Sequence, residues 1–155
     1  DPKFIVADEP VSALDVSVQA QMLNLILELR NIFNTTMMFI SHDMVVVEHI
    51  CDEVAVMYLG QIVEKGLKNQ IFSNPLHPYT EALLSAAPSF DPTLRQNKKR
   101  IILQGDIPSP ANPPKGCRFH TRCPYVHDVC REQIPEYREI KTGHFAMCHK
   151  VNGVF

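Results

Sequence analysis

Two short apolar runs separated by a long amphipathic segment limit the fold of this chain more than any other feature. Residues 4–7 (FIVA) and 37–40 (MMFI) are each bounded by polar or turn-forming residues, a pattern typical of buried strands. Between them, apolar residues recur at spacings of three and four from Val18 to Phe33, which predicts a helix of about five turns. A helix of this length between two strands requires a parallel crossover. The sequence therefore predicts an α/β fold.

Three polar side chains follow the predicted strands at the points where they end. Asp8 and Glu9 come directly after the first run, and His42 comes shortly after the second. Because parallel strands end at the same edge of a sheet, we expect these three residues to converge there. Two carboxylates and an imidazole at such an edge suit a divalent cation and an activated water. The structural alternative is that the acidic pair only caps a helix or lies at a solvated corner.

Charge and hydropathy exclude two classes of partner. The 155 residues carry 15 Lys and Arg against 17 Asp and Glu, a net charge of −2, so no basic field indicates nucleic acid binding. The longest apolar runs are far shorter than the ~20 residues that span a bilayer. The chain also opens directly on a strand-like run without an initiator Met or a signal peptide, so we expect it to be part of a longer protein.

Several motifs resemble ATP-binding cassette (ABC) ATPases. Residues 4–15 (FIVADEPVSALD) resemble the Walker B strand and D-loop of this family, and residues 40–43 (ISHD) resemble its switch histidine. Residues 52–66 look like its terminal hairpin, and a turn at Gly60 independently predicts a hairpin there. The resemblance implies an α/β fold that is a partial P-loop NTPase core.

Further motifs narrow the resemblance to the ATPase subunits of oligopeptide and dipeptide importers. Residues 74–84 (NPLHPYTEALL), 105–110 (GDIPSP) and 116–124 (GCRFHTRCP) are similar to the C-terminal signature of these subunits. The wording of residues 10–15 (PVSALD) resembles in particular the second of the paired ATPases. We therefore expect two domains. Residues 1–88 would be the C-terminal half of an ABC ATPase domain, and residues 89–155 a small irregular Cys-rich C-terminal domain.

The resemblance assigns roles to four residues by position. Asp8 would hold the Mg²⁺ shell, Glu9 would orient the attacking water, and His42 would contact the γ-phosphate of ATP. Asp15 would report to a second ATPase subunit across a nucleotide-sandwich dimer. Neither a Gly-x-x-x-x-Gly-Lys-Ser/Thr phosphate loop nor the Gly-rich signature motif is present, and the glutamine loop is also missing. We therefore expect the chain alone to be inactive as an ATPase.

Four of the five cysteines lie in the Pro-rich tail, at Cys117, Cys123, Cys130 and Cys148. A segment with so little apolar periodicity needs a staple, which could be a metal or disulfides. The wide spacing is unlike a Cys-x-x-Cys zinc hairpin, although zinc, a mixed Cys/His site and an unmetallated state stay open. The resemblance implies a 4Fe-4S cluster at these four residues. The candidate ligands for a mixed site are His120, His127, His144 and His149. Cys51 is interpreted as a small apolar core residue.

The resemblance thus implies an ATP-hydrolysing subunit that energises peptide import at the cytoplasmic face of the cell membrane. Its partners would be transmembrane permease subunits, a second ATPase subunit and, indirectly, a peptide-binding protein. Two alternatives remain open. One is an ABC ATPase that works without a membrane, and the other is a metal-binding interaction module with a vestigial ATPase half.

Overall fold

The computed structural model describes residues 2–87, 100–151 and 153, and the chain divides into two compact units, Asp1–Cys51 and Asp52–Phe155. The domain boundary expected between residues 88 and 89 lies outside the described residues. The observed division falls earlier, at the end of the second helix, so the terminal hairpin belongs to the same unit as the cysteine-containing tail.

The first unit is the predicted strand–helix–strand crossover followed by a short helix. Its elements are β1 (Phe4–Asp8), α1 (Val16–Phe33), β2 (Thr36–Ile40) and α2 (Met44–Ile50). The two strands pair in parallel, with Phe4 opposite Thr36 and Asp8 opposite Ile40. The predicted parallel pairing is therefore confirmed, as is the predicted helix between the strands.

Only part of the apolar surface of α1 packs within this unit. Leu23 is buried with Val11, Val46 and Ile50, and Ile26 and Leu27 pack against this cluster. The apolar residues that outlined the predicted helix face are nevertheless largely exposed, because a two-stranded sheet and one short helix offer too little surface to cover them all. The exposed positions on α1 include Val18, Met22, Leu25, Leu29, Ile32 and Phe33.

The second unit is built on one four-stranded antiparallel sheet. The predicted hairpin is formed by β3 (Glu53–Tyr58) and β4 (Gln61–Leu67), and the tail supplies β5 (Tyr137–Lys141) and β6 (His144–Met147). The strand order is β3-β4-β6-β5. The described residues of this unit also form the helices α3 (Lys68–Ser73), α4 (Pro78–Ala86) and α5 (Asp128–Glu132).

The tail is less irregular than the sequence suggested. We expected a separate Cys-rich domain without regular structure, but β6 pairs with β4 of the hairpin and β5 pairs with β6. The period-two alternation of β6 is seen in its burial, since His144 and Ala146 are buried while Phe145 is only partly so, but it is not seen in its residue types, because the larger apolar side chains Phe145 and Met147 are on the less buried face. The strand is only four residues long and was obscured by the surrounding Pro, His and Arg residues. Within the described ranges, no helix is long and apolar enough to cross a membrane.

Candidate functional site

The ends of β1 and β2 bring Glu9 and His42 into direct contact. Glu9 continues the strand pairing, because its backbone N–H donates to the carbonyl of Ile40 at 3.0 Å. His42 Nδ1 donates to Glu9 Oε1 at 2.7 Å. Glu9 adopts a left-handed backbone conformation with φ of 45°, which is uncommon for a residue with a side chain and is often found at functional sites. The predicted convergence of these two residues is confirmed.

This pair is open to solvent, and its contact changes the acidity of the histidine. The hydrogen bond to Glu9, reinforced by the charge of that carboxylate, raises the pKa of His42 above its ordinary value of 6.5. A carboxylate that holds a histidine can also accept a proton from a water molecule, and an exposed imidazolium can donate to an anion. Both side chains of the pair can therefore form hydrogen bonds with a bound ligand. Asp8 is the last residue of β1 and directly precedes Glu9 in the chain. Its side chain is exposed to solvent.

Asp15 has a clear structural role at the start of α1. Its Oδ1 accepts from the backbone N–H of Ser17 at 3.1 Å and of Val18 at 3.0 Å, and from the Ser17 hydroxyl at 2.8 Å. These bonds satisfy helix N–H groups that have no partner within the helix. They also lower the pKa of Asp15 below its ordinary value, with the bond from Val18 as the largest cause. The role across a dimer stays a prediction.

The four tail cysteines line one cavity in the second unit, together with Phe119, His77 and residues near the C-terminus. None of them is in a disulfide bond. A left-handed turn at Gly116 brings the backbone at Cys117 close to that of Cys130. A Cβ atom there would lie 2.5 Å from the carbonyl oxygen of Cys130, and the next residue, Cys117, donates its N–H to that same oxygen at 2.9 Å.

The predicted metal site is not supported by this arrangement. The described residues contain no group of three or more His, Cys, Asp or Glu side chains arranged to hold a metal ion. The cavity measures about 10 Å³, room for roughly one water molecule, so a 4Fe-4S cluster does not fit between the thiols as they are placed here. In the absence of a bound cation, burial raises the pKa of Cys117 and of Cys123 to about 11, so these thiols are neutral.

The mixed Cys/His alternative also lacks support, because His120, His144 and His149 each have another partner. His144 donates to Glu64, His120 donates its Nδ1–H to the carbonyl of Cys117, and His149 donates to the carbonyl of Gln133. Cys51 lies in the other unit, where it packs against the apolar cluster as expected.

Comparison with known proteins finds sequences similar to this chain over nearly all of its length. Residues 63–130 match the family described as "Oligopeptide/dipeptide transporter, C-terminal region". The oligopeptide transport ATP-binding protein AppF of Bacillus subtilis (strain 168) is 56% identical over 149 residues, which are 96% of this chain and 45% of that protein. The chain is therefore a homologue of peptide-transport ATP-binding proteins.

Two further relatives agree in identity and extent. A putative peptide import ATP-binding protein of Brucella ovis is 57% identical over 152 residues, 98% of this chain and 47% of the relative. The dipeptide transport ATP-binding protein DppF of Haemophilus influenzae is 55% identical over 152 residues, 98% of this chain and 46% of the relative. The chain spans about half the length of these curated relatives.

A buried carboxylate at Glu64, inside the matched segment, joins three parts of the second unit. Glu64 of β4 accepts from the backbone N–H of Leu76 at 2.8 Å and of His77 at 2.9 Å, and from His144 Nε2 of β6 at 2.7 Å. His77 Nδ1 in turn accepts from the N–H of Tyr79 at 3.1 Å and so caps α4. This network fixes the His-Pro-Tyr segment of the transporter signature against the sheet.

Sequence reasoning missed this network. Glu64 lies in a strand that was identified correctly, but a single glutamate in a hairpin is usually at the surface. The available signal was the His-Pro-Tyr segment itself, in which a histidine directly before a proline at a helix start is suited to cap that helix. Burial lowers the pKa of His77 to about 3, so this residue acts as a neutral hydrogen-bond acceptor.

Proposed function

We propose that this chain is part of an ATP-hydrolysing subunit that energises peptide import. The proposal extends to this chain what the names of its relatives state, since 55–57% identity runs over nearly all of it. Because the chain spans about half of each relative, we further propose that it acts within a longer subunit. The exposed apolar side chains of β1 and β2, such as Phe4, Val6 and Met38, are consistent with cover by other parts of that subunit.

The contact between Glu9 and His42 is the observation that carries the catalytic part of the proposal. Phosphoryl transfer needs a group that positions the attacking water and a donor that neutralises charge on the transferred phosphoryl group. Glu9 would orient the water, and His42, held at 2.7 Å by Glu9, would donate to the γ-phosphate. An exposed carboxylate at the end of β1 suits Mg²⁺, which would neutralise phosphate charge and which Asp8 would help to hold.

The assembly and location follow from the same proposal. An importer ATPase associates with transmembrane permease subunits at the cytoplasmic face of the membrane. It usually acts as a pair of ATPase subunits, and a separate protein binds the peptide. Asp15, exposed at the N-terminus of α1, would lie near the second ATPase subunit. An ABC ATPase that acts without a membrane is the alternative, and the match of residues 63–130 to a transporter region favours the importer.

The decisive test is Glu9→Gln in the complete subunit. Glutamine keeps the shape of the side chain but cannot accept a proton from the attacking water, so we expect steady-state ATP turnover to fall about 100-fold or more while ATP binding is retained. Glu48→Gln, at an exposed position on α2, is the matched control and should leave turnover unchanged. Near-normal turnover in the Glu9 variant would remove this residue from the mechanism.

The iron–sulfur cluster predicted for the cysteines is separate from this proposal and needs its own test. Anaerobically purified protein is analysed for iron, sulfide and zinc, with Cys123→Ser as the comparison. Stoichiometric iron and sulfide that are lost in the variant would support the cluster and would require the thiols to move apart from their placement here. Stoichiometric zinc would replace the cluster with the alternative, and protein free of both metals would end the metal hypothesis.

A further inference from the structure

An open groove beside α4, away from the cysteine cavity, has the features of a small-molecule site. It measures about 480 Å³, within the ~300–1,000 Å³ range of typical ligand pockets. One wall is the apolar face of α4 and the other is the segment at residues 101–103. The apolar lining residues are Ala82, Leu83, Ala86, Ile101, Ile102 and Leu103.

A hydrogen-bonded side chain holds the two walls in place. Ser85 of α4 donates from its hydroxyl to the carbonyl of Ala82 at 2.7 Å, and the same oxygen accepts from the backbone N–H of Ile101 at 3.0 Å. The segment at residues 101–103 is thereby tied to the helix through one shared hydroxyl. The groove is therefore a feature that the fold builds.

Among the described residues, the polar lining of the groove is cationic. Arg100 and Arg122 are the polar residues of that lining, and no carboxylate of the described ranges belongs to it. The Nε atom of Arg122 is buried and has no hydrogen-bond partner within the part of the chain that the structure describes. A buried guanidinium N–H without a partner is costly, and a guanidinium pairs best with a carboxylate that accepts two of its N–H groups.

We propose that this groove binds a small organic carboxylate with an apolar body. The apolar walls would take the body of the ligand, and the two arginines would hold its carboxylate through the parts of their side chains that line the groove, since the buried Nε of Arg122 is closed to a ligand. The proposal is independent of the ATPase function, because it uses only residues of the second unit that lie outside the Glu9–His42 site.

The test titrates the full chain with octanoate and follows backbone amide resonances by NMR. We expect saturable shifts confined to α4 and residues 101–103. Arg122→Gln and Arg100→Gln should each weaken binding about tenfold or more, since each removes a charge-assisted hydrogen bond. Arg131→Gln, at an exposed position outside the groove, is the matched control and should bind as the unsubstituted chain does. Retained circular dichroism shows that each variant folds.

Three further probes make the outcome decisive. Ala86→Phe adds a ring at an exposed lining position and should block binding without a change in the core. Acetate should bind more weakly than octanoate because it lacks an apolar body, and 1-octanol should bind more weakly because it lacks the charge. Equal affinity for octanoate and octanol would overturn the proposal. So would full binding by both Arg122→Gln and Ala86→Phe, or the absence of saturable shifts at the groove.

Discussion

Two histidine–glutamate pairs, one from each unit, have the same length but opposite surroundings. His42 donates to Glu9 at 2.7 Å with side chains that are 75% and 47% exposed. His144 donates to Glu64 at 2.7 Å with side chains that are 1% and 0% exposed. Distance alone therefore does not distinguish a pair that can bind a ligand from a pair that stabilises the fold. The two kinds of pair are distinguished by their burial and by the other hydrogen bonds of each glutamate.

The other hydrogen bonds of the two glutamates also distinguish the buried pair from the exposed one. Both carboxylate oxygens of Glu64 accept from backbone N–H groups in addition to His144, and the side chain is fully buried, so it is closed to a ligand. Glu9 makes one side-chain hydrogen bond among the described residues and is open to water. The buried pair is thus a structural joint between β4, β6 and the start of α4, whereas the exposed pair keeps oxygen atoms free for chemistry.

We expect the largest effect on stability when the buried carboxylate of Glu64 is removed. Glu64→Ala leaves two backbone N–H groups and His144 buried without their partner, which should reduce the free energy of unfolding by about 3–5 kcal/mol. Urea unfolding followed by tyrosine fluorescence measures this directly, because all four tyrosines, at positions 58, 79, 125 and 137, lie in the second unit.

Two control variants make this comparison sharper. Glu53→Gln breaks the surface ion pair with Lys65 in the same sheet and should cost less than about 1 kcal/mol. Glu9→Ala, in the other unit, should leave the tyrosine-monitored transition unchanged. A small effect of Glu64→Ala, similar to that of Glu53→Gln, would show that the buried pair does not stabilise the second unit.

The contrast also explains which features could be predicted from the sequence. The crossover of the first unit is local, since hydrophobic spacing and polar strand ends determine which residues meet, and Glu9 and His42 were found that way. The joint at Glu64 depends on β6, which pairs with β4 across about eighty residues of chain. No local pattern encodes that pairing. The groove at Arg122 likewise depends on a contact between Ser85 and Ile101 that spacing alone does not reveal.

The next prediction concerns His77, whose burial makes the second unit sensitive to acid. Burial lowers its pKa from 6.5 to about 3, so between these values the unfolded chain binds a proton that the folded unit does not. Stability contributed by neutral His77 is thus complete above pH 6.5 and falls as the pH drops toward 3, by up to about 1.4 kcal/mol per pH unit. Urea unfolding at several pH values measures this slope.

The control for this pH dependence of stability is a variant without a titratable group at position 77. His77→Asn keeps a side-chain oxygen able to accept from the N–H of Tyr79, so the helix cap is preserved while the imidazole is removed. The tyrosine-monitored stability of this variant should change less between pH 6.5 and pH 4 than that of the unsubstituted chain. An identical slope in both proteins would assign the acid sensitivity to other groups.

The smallest expected effect belongs to the exposed pair and has the opposite sign. Because the hydrogen bond to Glu9 raises the pKa of His42 above 6.5, its contribution to stability is complete below the unfolded value and is lost as the pH rises through the folded one. The NMR titration midpoint of His42 should lie above 6.5 and should fall toward 6.5 in Glu9→Gln, but stay unchanged in Glu48→Gln. A midpoint that ignores the Glu9 substitution would mean that the 2.7 Å contact does not persist in solution, and His42 would then lack the partner that orients it toward a phosphate.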